Sequence, residues 1–171
     1  MSDLMQAAGL QKGGLYRHFE SKEALALEAL DFAIGRMAVR FRAALGTKHD
    51  AVDQVRALCE SYATLLRDPA VPGGCPLMNA AIENDDGNPL LRERARSAMD
   101  ALWGLIERAI RTGRERGEVR EDVDAAEAAT VVIALCEGAL MLSQLYGDSA
   151  PMHKSMAFLH RYLDEQVRAP G

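Results

Sequence analysis

Apolar side chains recur along this chain every three or four residues, the spacing of a helix face rather than the alternation of a strand. Leu27, Leu30, Ile34, Met37 and Phe41 mark one such face. Ser21 precedes it as an N-cap, Glu23 lies in the first turn where the helix dipole favours an acid, and Thr47 to Asp50 breaks it. Val52, Val55, Cys59, Tyr62 and Leu66 repeat the stepping and predict a helix over 51–67, followed by a loop from Pro69 to Pro76. A short helix is expected from Leu77 to Glu83, ended by Asn84-Asp85-Asp86-Gly87. Asn88-Pro89 then reads as an N-cap with proline at the first helical position, opening a helix over 88–116 that buries Leu91, Ala95, Ala98, Leu102, Leu105 and Ala109 and stops at Gly117. Asp124 and Glu127, at capping-box spacing, open a mostly apolar helix that stops at Gly147. Pro151 opens the last helix, to about residue 168, with Met152, Met156, Leu159, Leu163 and Val167 on one face. Upstream of all of these, Ser2–Ala8 and Lys12–Phe19 read as two short helices around Gly9.

The pattern predicts an all-α protein, and the composition agrees: aromatics are 5% and runs of β-branched residues are nearly absent. The helices over 124–147 and 151–168 are more apolar than one core stripe requires, so a two-fold dimer through them is expected. The net charge of −5 argues against a nucleic-acid binder, but its distribution changes the picture. Residues 1–48 carry seven Lys/Arg against five acids, the remainder 13 against 20, which permits a confined contact with DNA at the N-terminal end. Cys59, Cys75 and Cys136 form no zinc or disulfide pattern, and no metal site or cofactor is expected. The richest apolar stretch, Ala125 to Leu142, is interrupted by Glu127, Thr130 and Glu137; no membrane span or signal peptide is expected, and the cytoplasm is the expected location.

The most informative segment is Ser2 to Lys22. Gly9 suits the tight corner between two short helices, Leu4, Ala8, Leu10 and Leu15 can pack them together, and the second helix presents Lys12, Gly13, Gly14, Tyr16, Arg17 and His18. Small residues let the backbone approach a groove; cationic and hydroxyl groups can meet phosphates and base edges. With Asp3-Leu4, Ala8-Gly9-Leu10, Lys12-Gly13, Leu15-Tyr16, His18-Phe19, Ser21-Lys22-Glu23 and Leu25 at fixed spacing, the segment resembles the helix-turn-helix of the TetR (tetracycline-repressor-like) family; Gln11 departs from it, standing where the family often has Ser. The resemblance implies that Lys12, Gly13, Tyr16 and His18 touch operator DNA, that Lys22 grips a phosphate, and that Ala8, Leu10, Leu15 and Phe19 pack. It also implies a three-helix DNA-binding unit whose first helix has no counterpart here, so an N-terminally incomplete DNA-binding domain with its connecting helix is expected over 1–45, and an effector-binding and dimerisation domain over 46–171. Gly74-Cys75, Leu77, Asn79, Ala81 and Glu83 resemble a signature of one subgroup's C-terminal domain.

The function so implied is a DNA-binding repressor, not an enzyme, released from its operator by a small apolar or amphipathic effector. The alternative is a helical dimeric ligand-binding or interaction module without competent DNA binding. No catalytic constellation is visible. The effector pocket is expected between the helices at 51–67, 77–83, 88–116 and 124–147. Leu58, Leu65, Met78, Ile82, Met99, Trp103, Ile106 and Met141 would supply its apolar walls, although methionines at helical spacing are more often plain core. Tyr62, Asn79, Glu83 and Glu137 would orient the ligand. Glu137 requires a partner, a pocket or a subunit boundary. Cys75 has two readings: a thiol activated at a helix N-terminus, or a small buried apolar residue. Cys59 and Cys136 read as core, and His49, His153 and His160 as ordinary surface or interface residues.

Overall fold

The computed structural model describes residues 19–66, 74–83 and 88–170, without the side chains of Ile82 and Glu83. The two short helices expected within residues 2–19, Phe19 apart, fall outside it. Among the described residues the chain forms six α-helices: α1 (Lys22–Gly46), α2 (Ala51–Leu65), α3 (Pro76–Glu83), α4 (Pro89–Glu115), α5 (Ala125–Tyr146) and α6 (Ala150–Tyr162). The helix starts are those that the capping residues dictate. Ser21 Oγ accepts from the Ala24 amide at 3.0 Å, Asp50 from Asp53 at 2.9 Å, Asn88 from Leu90 at 2.9 Å, and Asp124 from both Ala126 and Glu127. Gly117 and Gly147 end their helices with φ of 73° and 62°, a left-handed turn that only glycine adopts without strain.

Packing follows the apolar faces. α2 lies at the centre and touches α1, α4, α5 and α6; Val52, Val55, Leu58, Cys59, Tyr62 and Leu65 are all buried. Its buried stripe ends on Leu65 and not on Leu66, which is only partly covered. α1 contributes a single stripe, Leu30, Met37 and Phe41, and so lies on the outside of the bundle. α5 packs against α2, α4 and α6. By length and mean hydropathy, 1.7 over its best window, α5 would suffice to cross a bilayer, which corrects the expectation that no stretch would. Contacts with three neighbouring helices instead make one side of it part of the helical core.

The last helix also departs from the expected 151–168. It ends at Tyr162 and widens into a π turn over Leu163–Val167. The cause is a competing set of backbone bonds. Arg120 N donates to Val167 O at 3.0 Å and Ala169 N to Glu118 O at 3.0 Å, drawing the chain end onto the loop after α4. Arg168 then reaches Asp50 at 3.1 Å and Asp53 at 2.6 Å, at the start of α2. Glu118 completes the junction by accepting from the Ala51 amide at 2.8 Å.

α4 passes this junction at Gly113. A Cβ there would stand 2.4 Å from Ala51 Cβ and 2.8 Å from Val119 Cγ2. Gly113→Ala should therefore destabilise the protein: the gain in helix propensity, about 1 kcal/mol, is outweighed by overpacking of about 1–3 kcal/mol with neighbours that cannot turn aside. A denaturant midpoint equal to or above that of the parent protein would show that the junction yields.

Candidate functional site

Two clefts flank Leu77, which lines both and is itself buried. The first, about 370 Å³, opens between α3, α4 and α5. Met78 and Ala81 come from α3; Arg92, Ala95, Arg96, Met99 and Trp103 form one α4 face at spacings of three and four; Glu137 comes from α5. The second, about 300 Å³, lies between α1, α3 and α4, walled by Ile34, Met37, Phe41 and Leu102 with Arg42 and Arg108 at its edge.

Glu137 gives the first cleft its chemistry. Its Oε1 accepts from the Tyr62 hydroxyl at 3.2 Å, and the Cys75 thiol donates to the same carboxylate. Oε2 is sealed from solvent and has no hydrogen-bond partner among the described residues. Burial raises the carboxyl above the ordinary glutamate range, while the two donors pull it part of the way back. Tyr62 is held by a ring stack on Phe41 of α1, 5.0 Å between centroids, and burial raises its hydroxyl well above the ordinary value. Thus α2 and the residue before α3 meet α5 at one carboxylate, and α1 is joined to it through Tyr62.

Cys75 follows the second of its two readings. It sits at the start of α3, where the dipole and the Leu77 and Met78 amides would favour a thiolate, but it is wholly buried and faces Glu137. Burial and that neighbouring carboxylate raise the thiol far above its ordinary value, so an activated thiolate is not what this geometry provides. Cys59 and Cys136 are buried core, as expected.

Of the residues expected to line a pocket, the structure gathers Met78, Met99, Trp103 and Glu137. Tyr62 stands behind Glu137 and not on the wall. Leu58, Leu65 and Ile106 are sealed in the core, where α2 and α4 pack against each other and their neighbours. Met141 lies on the outer side of α5, 41% exposed, one turn beyond Glu137 and clear of either cleft. Asn79 is half-buried in α3 and engaged in an interaction of its own. The side chains of Glu83 and Ile82 lie outside the described residues. The sequence reading missed Leu77, Ala95, Arg92 and Arg96; counting back from Trp103 and Met99 by three and four would have found the α4 members. Among the positions expected to touch DNA, Lys12, Gly13, Tyr16, Arg17 and His18 lie outside the described residues. Lys22 is exposed in the first turn of α1.

The raised Glu137 carboxyl has a consequence for stability. Its folded-state affinity for a proton exceeds the unfolded one, so the native state loses stability as pH rises through the interval above the ordinary glutamate value. Tyr62 and Cys75, the groups that face it, stay neutral throughout that interval. Glu137→Gln removes the titration, so the stability of the variant relative to the parent should rise between pH 4 and pH 8, roughly the span from the ordinary glutamate value to neutral pH. A difference that stays constant across thermal melts in this range would contradict the buried position of the carboxyl.

Known proteins resemble this chain over nearly its whole length. The family model described as "Tetracyclin repressor-like, C-terminal domain" matches residues 51–159, and that described as "Bacterial regulatory proteins, tetR family" matches residues 1–29. The HTH-type transcriptional repressor DhaR of Mycobacterium sp. is 26% identical over 165 residues, which span 95% of this chain and 81% of that protein. A TetR transcriptional regulator of Chloroflexus aurantiacus has the same fold with a TM-score of 0.92 at 43% identity, over 99% of this chain and 85% of its own. A transcriptional regulator of Saccharomonospora viridis, solved in complex with choline, has a TM-score of 0.80 at 26% identity, over 99% of this chain and 86% of its own. The six-helix architecture, the helix-turn-helix match at the N-terminal end and a C-terminal match over more than half the chain lead to one conclusion: the protein belongs to the TetR family of transcriptional regulators, which are DNA-binding proteins and not enzymes.

Proposed function

We propose that this regulator is a homodimeric repressor that leaves its operator when a small amphipathic effector enters the cleft ending on Glu137. The observation that carries the effector site is the carboxylate itself: a sealed oxygen without a donor, beside an otherwise largely apolar cleft. The Saccharomonospora relative holds a small ligand, and the Mycobacterium relative is a repressor; both facts support the reading. In this reading residues 1–45 form the DNA-binding domain with its connecting helix, and residues 46–171 bind effector and dimerise. Lys12, Gly13, Tyr16, Arg17 and His18 read the groove, and Lys22 holds a phosphate. Operator binding places the protein in the cytoplasm.

The mechanism is a population shift. α1 begins beside the DNA-binding residues and ends where Phe41 stacks on Tyr62, which in turn bonds Glu137. A ligand that moves Glu137 therefore has a continuous packed path to α1. It lowers DNA affinity to the extent that it prefers the conformation whose recognition helices are wrongly spaced for successive major grooves. Coupling of ordinary size, roughly 1–3 kcal/mol, weakens operator binding about 5–150-fold.

Dimerisation through α5 and α6 is supported by the apolar side chains they leave uncovered. Leu145 and Tyr146 are 72% and 71% exposed, and Met141, Leu142 and Phe158 stand beside them in sequence or on the adjoining helix. A four-helix bundle made by α5 and α6 from two copies would cover them. Light scattering at micromolar concentration should give a dimer; a monomer would overturn this part of the reading.

Operator binding is tested by selecting duplexes from a random pool with the protein and then measuring their affinity against salt. Lys22→Ala should weaken binding to all selected sequences alike and reduce the salt slope by about one. If no duplex is enriched, the protein is a dimeric ligand-binding module without competent DNA binding, and the repressor reading fails.

A further inference from the structure

The half-buried carboxylate also constrains what the cleft can bind. Glu137 has two of its acceptor positions filled, by Tyr62 and Cys75, and Oε2 filled by nothing among the described residues. A carboxylate oxygen withdrawn from water without a donor is costly, and more so when it carries charge. The remaining inner wall offers it no relief: Met78, Ala95 and Met99 are apolar. The cations nearby are on the rim and occupied. Arg96 is paired with Asp100 at 4.0 Å with both side chains largely exposed, and Arg92 is engaged in an interaction of its own. Trp103 adds an indole to the same cleft, a second group that attracts cations.

Resting on the reading of this cleft as the effector site, we propose that its ligand is a small amphipathic ammonium compound, toward which the Glu137 carboxylate turns so that Oε2 accepts its N–H groups, while its apolar body lies against Met78, Met99 and Trp103. The chemistry selects by complementarity in both directions. A carboxylate ligand would place a second negative charge beside Glu137. A neutral alcohol could donate one hydrogen bond but would leave the charge uncompensated. An ammonium supplies donor and charge together, and charge-assisted hydrogen bonds are the stronger kind. The volume, about 370 Å³, lies at the small end of the range for ligand pockets, which limits the body to a short chain or a single ring. An ammonium near Glu137 would also restore the carboxylate form that burial disfavours.

Trp103 is the sole tryptophan, so its emission reports occupancy of the cleft directly. The probes are n-hexylamine, 1-hexanol and hexanoate, titrated into the parent protein and into Glu137→Gln. Hexylamine should bind more tightly than the other two. Glu137→Gln should weaken hexylamine by at least about tenfold, the loss of one charge-assisted hydrogen bond, and weaken 1-hexanol much less. A cooperative thermal melt and the parent's far-UV circular dichroism show that the variant is folded. Equal hexylamine affinity in parent and variant, tighter binding of hexanoate, or no response to hexylamine at millimolar concentration would each overturn the proposal. DNA release is a separate readout: hexylamine that binds through Glu137 but leaves the operator complex intact supports the ligand class and removes the effector role of the cleft.

Discussion

The constraint on which this fold turns is the helix α5. Its apolar residues run around the whole circumference, so no single packing contact can satisfy it. Ala128, Ala129, Val132, Ile133, Cys136 and Leu140 are buried against α2, α4 and α6. Small residues at Ala128, Ala129 and Ala139 let the neighbouring backbones come close, and fixed caps at Asp124 and Gly147 set its length. What remains uncovered is the side that ends in Leu145 and Tyr146. The same property that makes α5 long and apolar enough for a bilayer makes it a core helix inside one subunit and, in the proposed dimer, the seam between two.

Glu137 is the exception within this helix, and its energetics run against simple stability. Removing a carboxylate from water costs several kcal/mol even after relaxation, and two donated hydrogen bonds of about 1.5–3 kcal/mol each offset only part of it. A leucine at the same place would bury no charge, but would leave the buried Tyr62 hydroxyl without its acceptor. The deficit makes sense where a ligand completes the site. Binding then regains what folding left unsatisfied, and the gain is confined to molecules with the matching donor. A site of this kind discriminates better than an apolar pocket of equal size, because a buried acceptor rejects any occupant that fails to pair with it.

The sequence made the helices legible because their limits are set locally. Ser21, Asp50, Asn88 and Asp124 act on the next three residues, and Gly117 and Gly147 act on their own backbone; all but Asp50, which the sequence marks only as part of a break, were found where the spacing placed them. The end of α6 was not legible, since its π turn depends on backbone bonds to Glu118 and Arg120, some fifty residues earlier. The site was half legible for the same reason. Met99 and Trp103 share an α4 face with Arg92 and Arg96, which periodicity can reveal. Whether that face meets the core or a cleft depends on where α3 and α5 lie, and this separated Met78 and Glu137 from Leu58, Ile106 and Met141. For Cys75 the sequence held two readings, and burial decides for the small buried residue. A helix N-terminus favours a thiolate, but burial and an adjacent carboxylate oppose it more strongly, and neither is visible from the neighbouring sequence.

The arrangement also bears on how a small ligand could act on a distant DNA contact. Glu137 is bonded to Tyr62, Tyr62 is stacked on Phe41, and Phe41 lies near the end of the helix that begins at Lys22. Every member of this series is buried or nearly so, and a close-packed interior transmits displacement instead of absorbing it. α1 is held by a single stripe of three buried residues along its 25. Beside that stripe lies the second cleft, walled by Ile34, Met37 and Phe41, so unfilled volume borders α1. A second packing of α1 into that space would give a ligand two states to choose between. Pulling Glu137 toward a ligand withdraws a partner from Tyr62 and with it part of the support under Phe41. The balance between those packings would then be set where the cleft ends and expressed at the end of α1 that faces DNA.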